Sequence, residues 1–116
     1  MDAPPAAAPL IRETAMPADA NPYGGMFVGW IFGRLALAAG SAASQHSGRR
    51  CPVVAADDLH FEAPVAVGEE LSVWADLAAQ GRRSLTYDTV AFTRDRHGPV
   101  TRKVASGRFV LVAMDD

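Results

Sequence analysis

Met26-Phe27-Val28-Gly29-Trp30-Ile31-Phe32-Gly33-Arg34-Leu35-Ala36-Leu37-Ala38-Ala39-Gly40-Ser41-Ala42-Ala43 carries a single charge, Arg34, and no polar stripe. Three environments compete for so apolar a stretch. It is long enough for a transmembrane helix, but Arg34 near its centre costs about 2.5–3.5 kcal/mol on insertion scales, and its many Gly and Ala return little. A surface amphipathic helix needs a polar face, which is missing. A helix apolar on nearly all sides is a buried helix, and the pattern therefore asks for a sheet wrapped around it. Gly25, Gly29 and Gly33 recur at intervals of four, on one helical face. Each lowers helix propensity by up to about 1 kcal/mol relative to alanine, so the spacing predicts close packing of that face.

Strand-like stretches flank the helix on both sides. Residues 10–15 form a short first strand and residues 53–61 a second. Residues 71–78 alternate, with Leu71, Val73, Ala75 and Leu77 on one face and Ser72, Trp74 and Asp76 on the other, the period of a half-buried strand. After the turn Gln80-Gly81-Arg82-Arg83, residues 84–93 bring Thr86, Tyr87, Thr89, Val90 and Phe92, all good strand formers. A second turn, residues 94–99, leads to a last strand over residues 103–113. Strands joined by short turns form an antiparallel meander. Gly107, inside the last strand, predicts a bulge or a close backbone approach. The fold class is thus α+β: a five-stranded antiparallel sheet around one long buried helix.

With 116 residues, the chain holds one domain, residues 10–116, preceded by a tail over residues 1–9. The tail contains Pro4, Pro5 and Pro9, which forbid regular hydrogen bonding, and it is expected to be mobile. It has neither the basic nor the apolar region of a secretory signal. A net charge of −2 and a pI of 5.8 argue against a nucleic-acid binder. The one cysteine, Cys51, cannot form an internal disulfide, which fits a reducing, cytoplasmic setting. A domain this small buries a modest share of its surface, a first reason to expect an oligomer.

The segment Met16-Pro17-Ala18-Asp19-Ala20-Asn21-Pro22-Tyr23-Gly24-Gly25 joins the first strand to the helix. Amides at a helix N-terminus lack intrahelical partners and carry partial positive charge. Glycines let a ligand come close to them, and such amides can stabilise a developing oxyanion. Equally, Asn21-Pro22 can be a helix cap with proline at the first helical position.

Here the chain resembles the acyl-CoA thioesterases of the hotdog superfamily, especially the YciA-like group and its brain acyl-CoA hydrolase relatives. Their motif, roughly M-P-x-D-x-N-x-x-G-D-I-F-G-G-W, is matched at Met16, Pro17, Asp19, Asn21, Gly24, Phe27, Gly29 and Trp30. Residues 54–71 resemble V-x-V-D-x-M-x-F-x-x-P-V-x-V-G-D-x-V. Gly81-Arg82-Arg83-Ser84 is similar to a G-R-T-S turn, and residues 109–115 to F-T-F-V-A-V-D. The four motifs stand in the family's order.

The resemblance implies hydrolysis of acyl-CoA to free acid and CoA, with the thioester at the helix N-terminus between two subunits. The amides of Gly25 and Met26 would polarise the carbonyl, and Asn21 would position thioester or water. Phe27, Gly29 and His60 would line the substrate, while Arg82 and Ser84 would hold part of CoA. The family's acid falls at Ala36, and no carboxylate lies between Met26 and Gln45. Loss of a general base is worth 10²–10⁴-fold. Another carboxylate can serve, with Asp58 the first choice and Asp57, Glu62 and Asp19 behind it. Alternatively, the protein binds acyl-CoA without hydrolysing it, or a different subunit supplies the acid. The family also has Asp where Gly25 stands and Gly where Val28 stands.

The remaining residues suggest no further chemistry. His46, His60 and His97 are too far apart in sequence for zinc spacing, so no metal is expected, and no cofactor beyond the CoA of the substrate. The expected assembly is a homodimer with a continuous sheet, or dimers joined into a tetramer or hexamer, without nucleic acid or membrane.

Overall fold

Alternation and turn chemistry produce the expected elements in the expected order. The computed structural model describes residues 3–115; Met1, Asp2 and Asp116, at the ends of the expected tail and domain, lie outside them. β1 spans Ile11–Thr14, α1 Val28–Ser47, β2 Val53–Phe61, β3 Glu70–Gln80, β4 Ser84–Arg94 and β5 Thr101–Val112. The five strands form one antiparallel sheet in the order β1-β3-β4-β5-β2.

The sheet curves over α1, which packs chiefly on β3, β4 and β5. Trp30, Ile31, Leu35, Ala38, Ala39 and Ala43 of the helix join Leu71, Val73, Leu85, Tyr87, Phe109 and Leu111 of the strands in one core. Leu71 and Val73 of β3 are fully buried, as the alternation predicts, but Ser72 and Trp74 on the other face are buried as well. The alternation fails to bury Leu77, which lies beside a register shift at Leu77/Ala79, beyond the cover of the helix.

Three local expectations change. The helix starts two residues later than the apolar run and continues through Ser47, so His46 sits in its last turn rather than in a loop. Gly48 ends the helix in the left-handed conformation (φ 71°), its N–H donating to the Ser44 carbonyl. Burial is one-sided: Val28 and Leu37 remain 46% and 59% exposed, because a single sheet covers one face and leaves the other open. The glycine series does not mark a packed face. Gly25 precedes the helix, and a Cβ on Gly33 would meet nothing.

Gly107 is a close approach, as expected. A Cβ there would collide with Leu59 Cδ2. Opposite it, β2 shifts register between Asp57 and His60, with Asp58 at φ 52°, and the bulge is what brings Leu59 down onto β5.

Pro4–Pro9, assigned to the tail, lie along the outer face of the sheet beside Trp74 and Phe92. The Trp74 indole N–H donates to the Ala7 carbonyl at 2.7 Å, and Trp74 meets Phe92 edge-on at 6.0 Å. Trp74→Phe keeps the ring and removes the donor. It should cost about 0.5–1.5 kcal/mol and speed proteolysis within residues 4–9. Unchanged cleavage there would show that the bond does not hold the segment.

Candidate functional site

The loop between β1 and α1 is built by its own polar groups. Pro17–Asp19 make one 3₁₀ turn. Asn21 then braces the bend: its Oδ1 accepts from the Tyr23 N–H at 2.7 Å and the Gly25 N–H at 3.1 Å, and its Nδ2 donates to the Met26 carbonyl at 3.4 Å. Asn21 is not a helix cap: its side-chain oxygen is spent within the loop, and one of its two amide N–H groups is used there as well.

The amides fall differently from expectation. Gly25 N–H is taken by Asn21, Met26 N–H donates to the Val65 carbonyl at 2.8 Å, and Phe27 N–H donates to the Asp19 carbonyl at 2.9 Å. Gly25 and Met26 therefore have no amide to offer a carbonyl. Phe27 is the N-cap of α1 and makes no side-chain cap. The next two amides, Val28 and Gly29, have no acceptor among the described residues. They are the orphan donors that a helix start always leaves, carrying its partial positive charge. Pro22 made an earlier helix start look natural. The chain instead spends five more residues on a bend closed by the Ala20–Met26 bridge.

Asp19, Phe27, Gly29, Trp30 and Arg34 border a cavity of about 370 Å³ at this helix end. The Phe27 ring lies over Gly29 so closely that a Cβ there would be 2.5 Å from Cε2. Arg34 is held by both oxygens of Glu13, at 2.8 and 3.1 Å, and stacks over Trp30 at 5.1 Å. The Glu13 hydrogen bond, outweighing the opposing burial, pushes the guanidinium above its ordinary pKa; Coulomb attraction from Glu13 and Asp19 acts the same way. The Trp30 indole N–H is buried and has no partner among the described residues. Gly25 and Tyr23 face a different, smaller cavity of about 270 Å³ with Val65 and Arg102. Sequence reasoning placed Val28 here as a departure from the family motif, but missed Arg34 and Glu13 as parts of this region. A lone charge in an apolar helix was the available signal for Arg34.

Two other candidate groups lie elsewhere in the protomer. Asp58 sits on the β2 bulge and pairs with His60 at 2.8 Å, both side chains exposed. Its cavity is shared with Asp88, Thr89 and Arg108, and with no residue of the glycine loop. Arg82 borders a cavity of about 400 Å³ with His46, Arg49, Gln80 and Arg83, at the C-terminal end of α1. Ser84 closes the same turn, its carbonyl accepting from the Gly81 N–H at 2.9 Å. Twenty helical residues span roughly 30 Å, so Arg82 and Ser84 stand far from the Gly29 amide of their own chain. Ala36 packs against the core in the middle of the helix and brings no acid.

Residues 23–100 match the thioesterase superfamily. The chain belongs to that superfamily. Among its relatives, an uncharacterized acyl-CoA thioester hydrolase of Zymomonas mobilis is 46% identical over 112 residues, covering 97% of this chain and 75% of that protein. A hexameric thioesterase of Yersinia pestis superposes with a TM-score of 0.91 at 28% identity, over 97% of this chain and 91% of that one. A hexameric hotdog-fold thioesterase of Campylobacter jejuni does so at 0.88 and 28% identity, over 94% and 84%. The hotdog architecture expected from the motifs is thus the one present. In this thioesterase-superfamily chain no group of three or more His, Cys, Asp or Glu among the described residues is arranged to hold a metal ion. No described helix is long and apolar enough to cross a membrane.

Proposed function

We propose that this chain hydrolyses acyl-CoA thioesters to a free acid and CoA, with the reacting carbonyl at the N-terminus of α1. The observation that carries the assignment is the pair of amides, Val28 and Gly29, without acceptors among the described residues, with Gly29 at the edge of a cavity, in a member of the thioesterase superfamily. Amides fixed before the reaction stabilise a developing oxyanion without reorganisation, and each such donor is worth about 10²–10³-fold.

A homo-oligomer supports the same reading. β2 is an edge strand, and Val53, Val54 and Phe61 on it are exposed. An exposed apolar edge invites pairing with another strand, and pairing with a second copy would extend the sheet. It would also give the CoA-binding turn of one copy a chance to approach the helix start of another, which one protomer alone cannot do. Two structural neighbours are hexameric thioesterases, which supports a homo-oligomer. The unpaired Cys51 is consistent with the cytoplasm.

Purified protein should release thiol from short-, medium- or long-chain acyl-CoA well above buffer, and absence of release across all three would remove the assignment. The second reading, acyl-CoA binding without hydrolysis, is favoured by one observation: α1 contributes no carboxylate, with Ala36 at the family's acid position. Ala36→Asp separates the two. A chain already competent should change little, whereas a pure binder should gain about 10²-fold or more in kcat.

A further inference from the structure

The missing helix acid leaves hydrolysis without its usual base, and one carboxylate of the same protomer borders the cavity at the helix start. We propose that Asp19 is the general base of this thioesterase, acting at the cavity it shares with the Gly29 amide. The proposal rests on the hydrolase assignment above.

Elimination comes first. Among the described residues, every carboxylate other than Asp19, Asp57 and Asp76 is held in an ion pair or a turn. Asp57 stands on β2 opposite Arg108, and Asp76 stands on β3 opposite Asp88. Neither borders the cavity at the helix start. Asp19 does, and its carboxylate makes no hydrogen bond or ion pair among the described residues.

Placement comes second. The Asp19 carbonyl accepts the Phe27 N–H at 2.9 Å, which ties the residue to the first turn of α1 and leaves the side chain free. Arg34 borders the same cavity, yet both its bonded nitrogens go to Glu13. A guanidinium so committed does not lock the Asp19 carboxylate in a bidentate pair. Trp30, nine-tenths buried in the same wall, holds an indole N–H with no acceptor. A buried donor left unpaired is costly, so the wall of this cavity holds one polar group that the described residues do not satisfy.

The step balances without any co-reactant. The Asp19 carboxylate takes a proton from water as the water oxygen bonds to the thioester carbon. The carbonyl oxygen becomes an oxyanion that accepts from the Val28 and Gly29 N–H groups. Collapse re-forms the carbonyl and breaks the C–S bond. The departing sulfur takes the proton from Asp19, giving CoA thiol and a carboxylic acid, which ionises in solvent.

The test uses the full-length protein and the acyl-CoA it turns over fastest. Asp19→Asn should lower kcat by about 10²–10⁴-fold, leave KM little changed and abolish the acid limb of the pH–rate profile. Asp19→Glu should restore part of kcat together with that limb, and the control Asp76→Asn should behave as wild type. The wild-type pH profile is itself a check, since a base-catalysed step requires that acid limb whether or not the Asn variant folds. Full activity of Asp19→Asn, or a loss confined to KM, overturns Asp19 as base while hydrolysis by the wild type stands. A wild type that releases no thiol overturns the hydrolase assignment as well.

Discussion

Gly29→Val lowers kcat/KM for acyl-CoA by about 100-fold or more while the protein stays folded. The expected size follows from what the position does. Gly29 offers one of the two free amides at the start of α1, and the loss of a single oxyanion donor is worth about 10²–10³-fold. A side chain at residue 29 starts 2.5 Å from the Phe27 ring, closer than carbon atoms tolerate. Phe27 is 54% exposed, so the ring can swing aside at little cost in stability. Either it or the new isopropyl group then occupies the space through which a carbonyl reaches the amide. Gly29→Ala should give a smaller loss of the same kind. Wild-type kinetics in the Val variant, with melting unchanged, would remove the carbonyl from this end of the helix.

How far the site was legible in the sequence depends on which force sets each part. Hydrophobic period and turn residues are local, so β2 appears with the bounds its composition implies, Val53–Phe61. Fold-level order followed from the same signals. Whether Asn21-Pro22 was a helix cap stayed open in the sequence; in the fold the Asn21 amide oxygen is used by Tyr23 and Gly25 within a tighter bend. That choice is made by a tertiary contact: Met26 N–H reaches Val65, thirty-nine positions along the chain, and no local pattern announces it. Arg34 was read as the one charge in an apolar run. Its partner Glu13 lies on β1, and only the packed fold shows that the guanidinium bonds Glu13 rather than Asp19. The carboxylate ranked first, Asp58, sits on a bulge already paired with His60. The bulge sets Leu59 against Gly107 across two strands, again a non-local arrangement.

Phe109→Ala should destabilise the fold by about 3–5 kcal/mol, the largest single loss expected from one substitution in the core. Phe109 is wholly buried on β5, between Ala56 of β2 and Tyr87 of β4 in register. Its ring meets Phe32 of α1 at 5.5 Å, tilted by 58°, so one side chain joins the helix to three strands. Truncation removes the transfer energy of the ring and leaves a cavity that the surrounding strands, fixed by their hydrogen-bond ladders, cannot collapse. Domains of this size hold about 5–15 kcal/mol in total. The loss should therefore lower the melting midpoint by on the order of 10–20 °C, measured by circular dichroism at fixed protein concentration. The neighbouring ion pair, Arg108 with Asp88 at 2.7 Å, faces solvent on the opposite side of the same strand. The Arg108 hydrogen bond holds the Asp88 carboxyl below its usual range, but solvent screening leaves such pairs little weight in stability. Of two adjacent residues, the uncharged one thus fixes α1, and with it the amides of Val28 and Gly29, against the sheet. If Phe109→Ala melts like wild type, the helix is anchored by other contacts, and the geometry of its N-terminus does not depend on this side of the core.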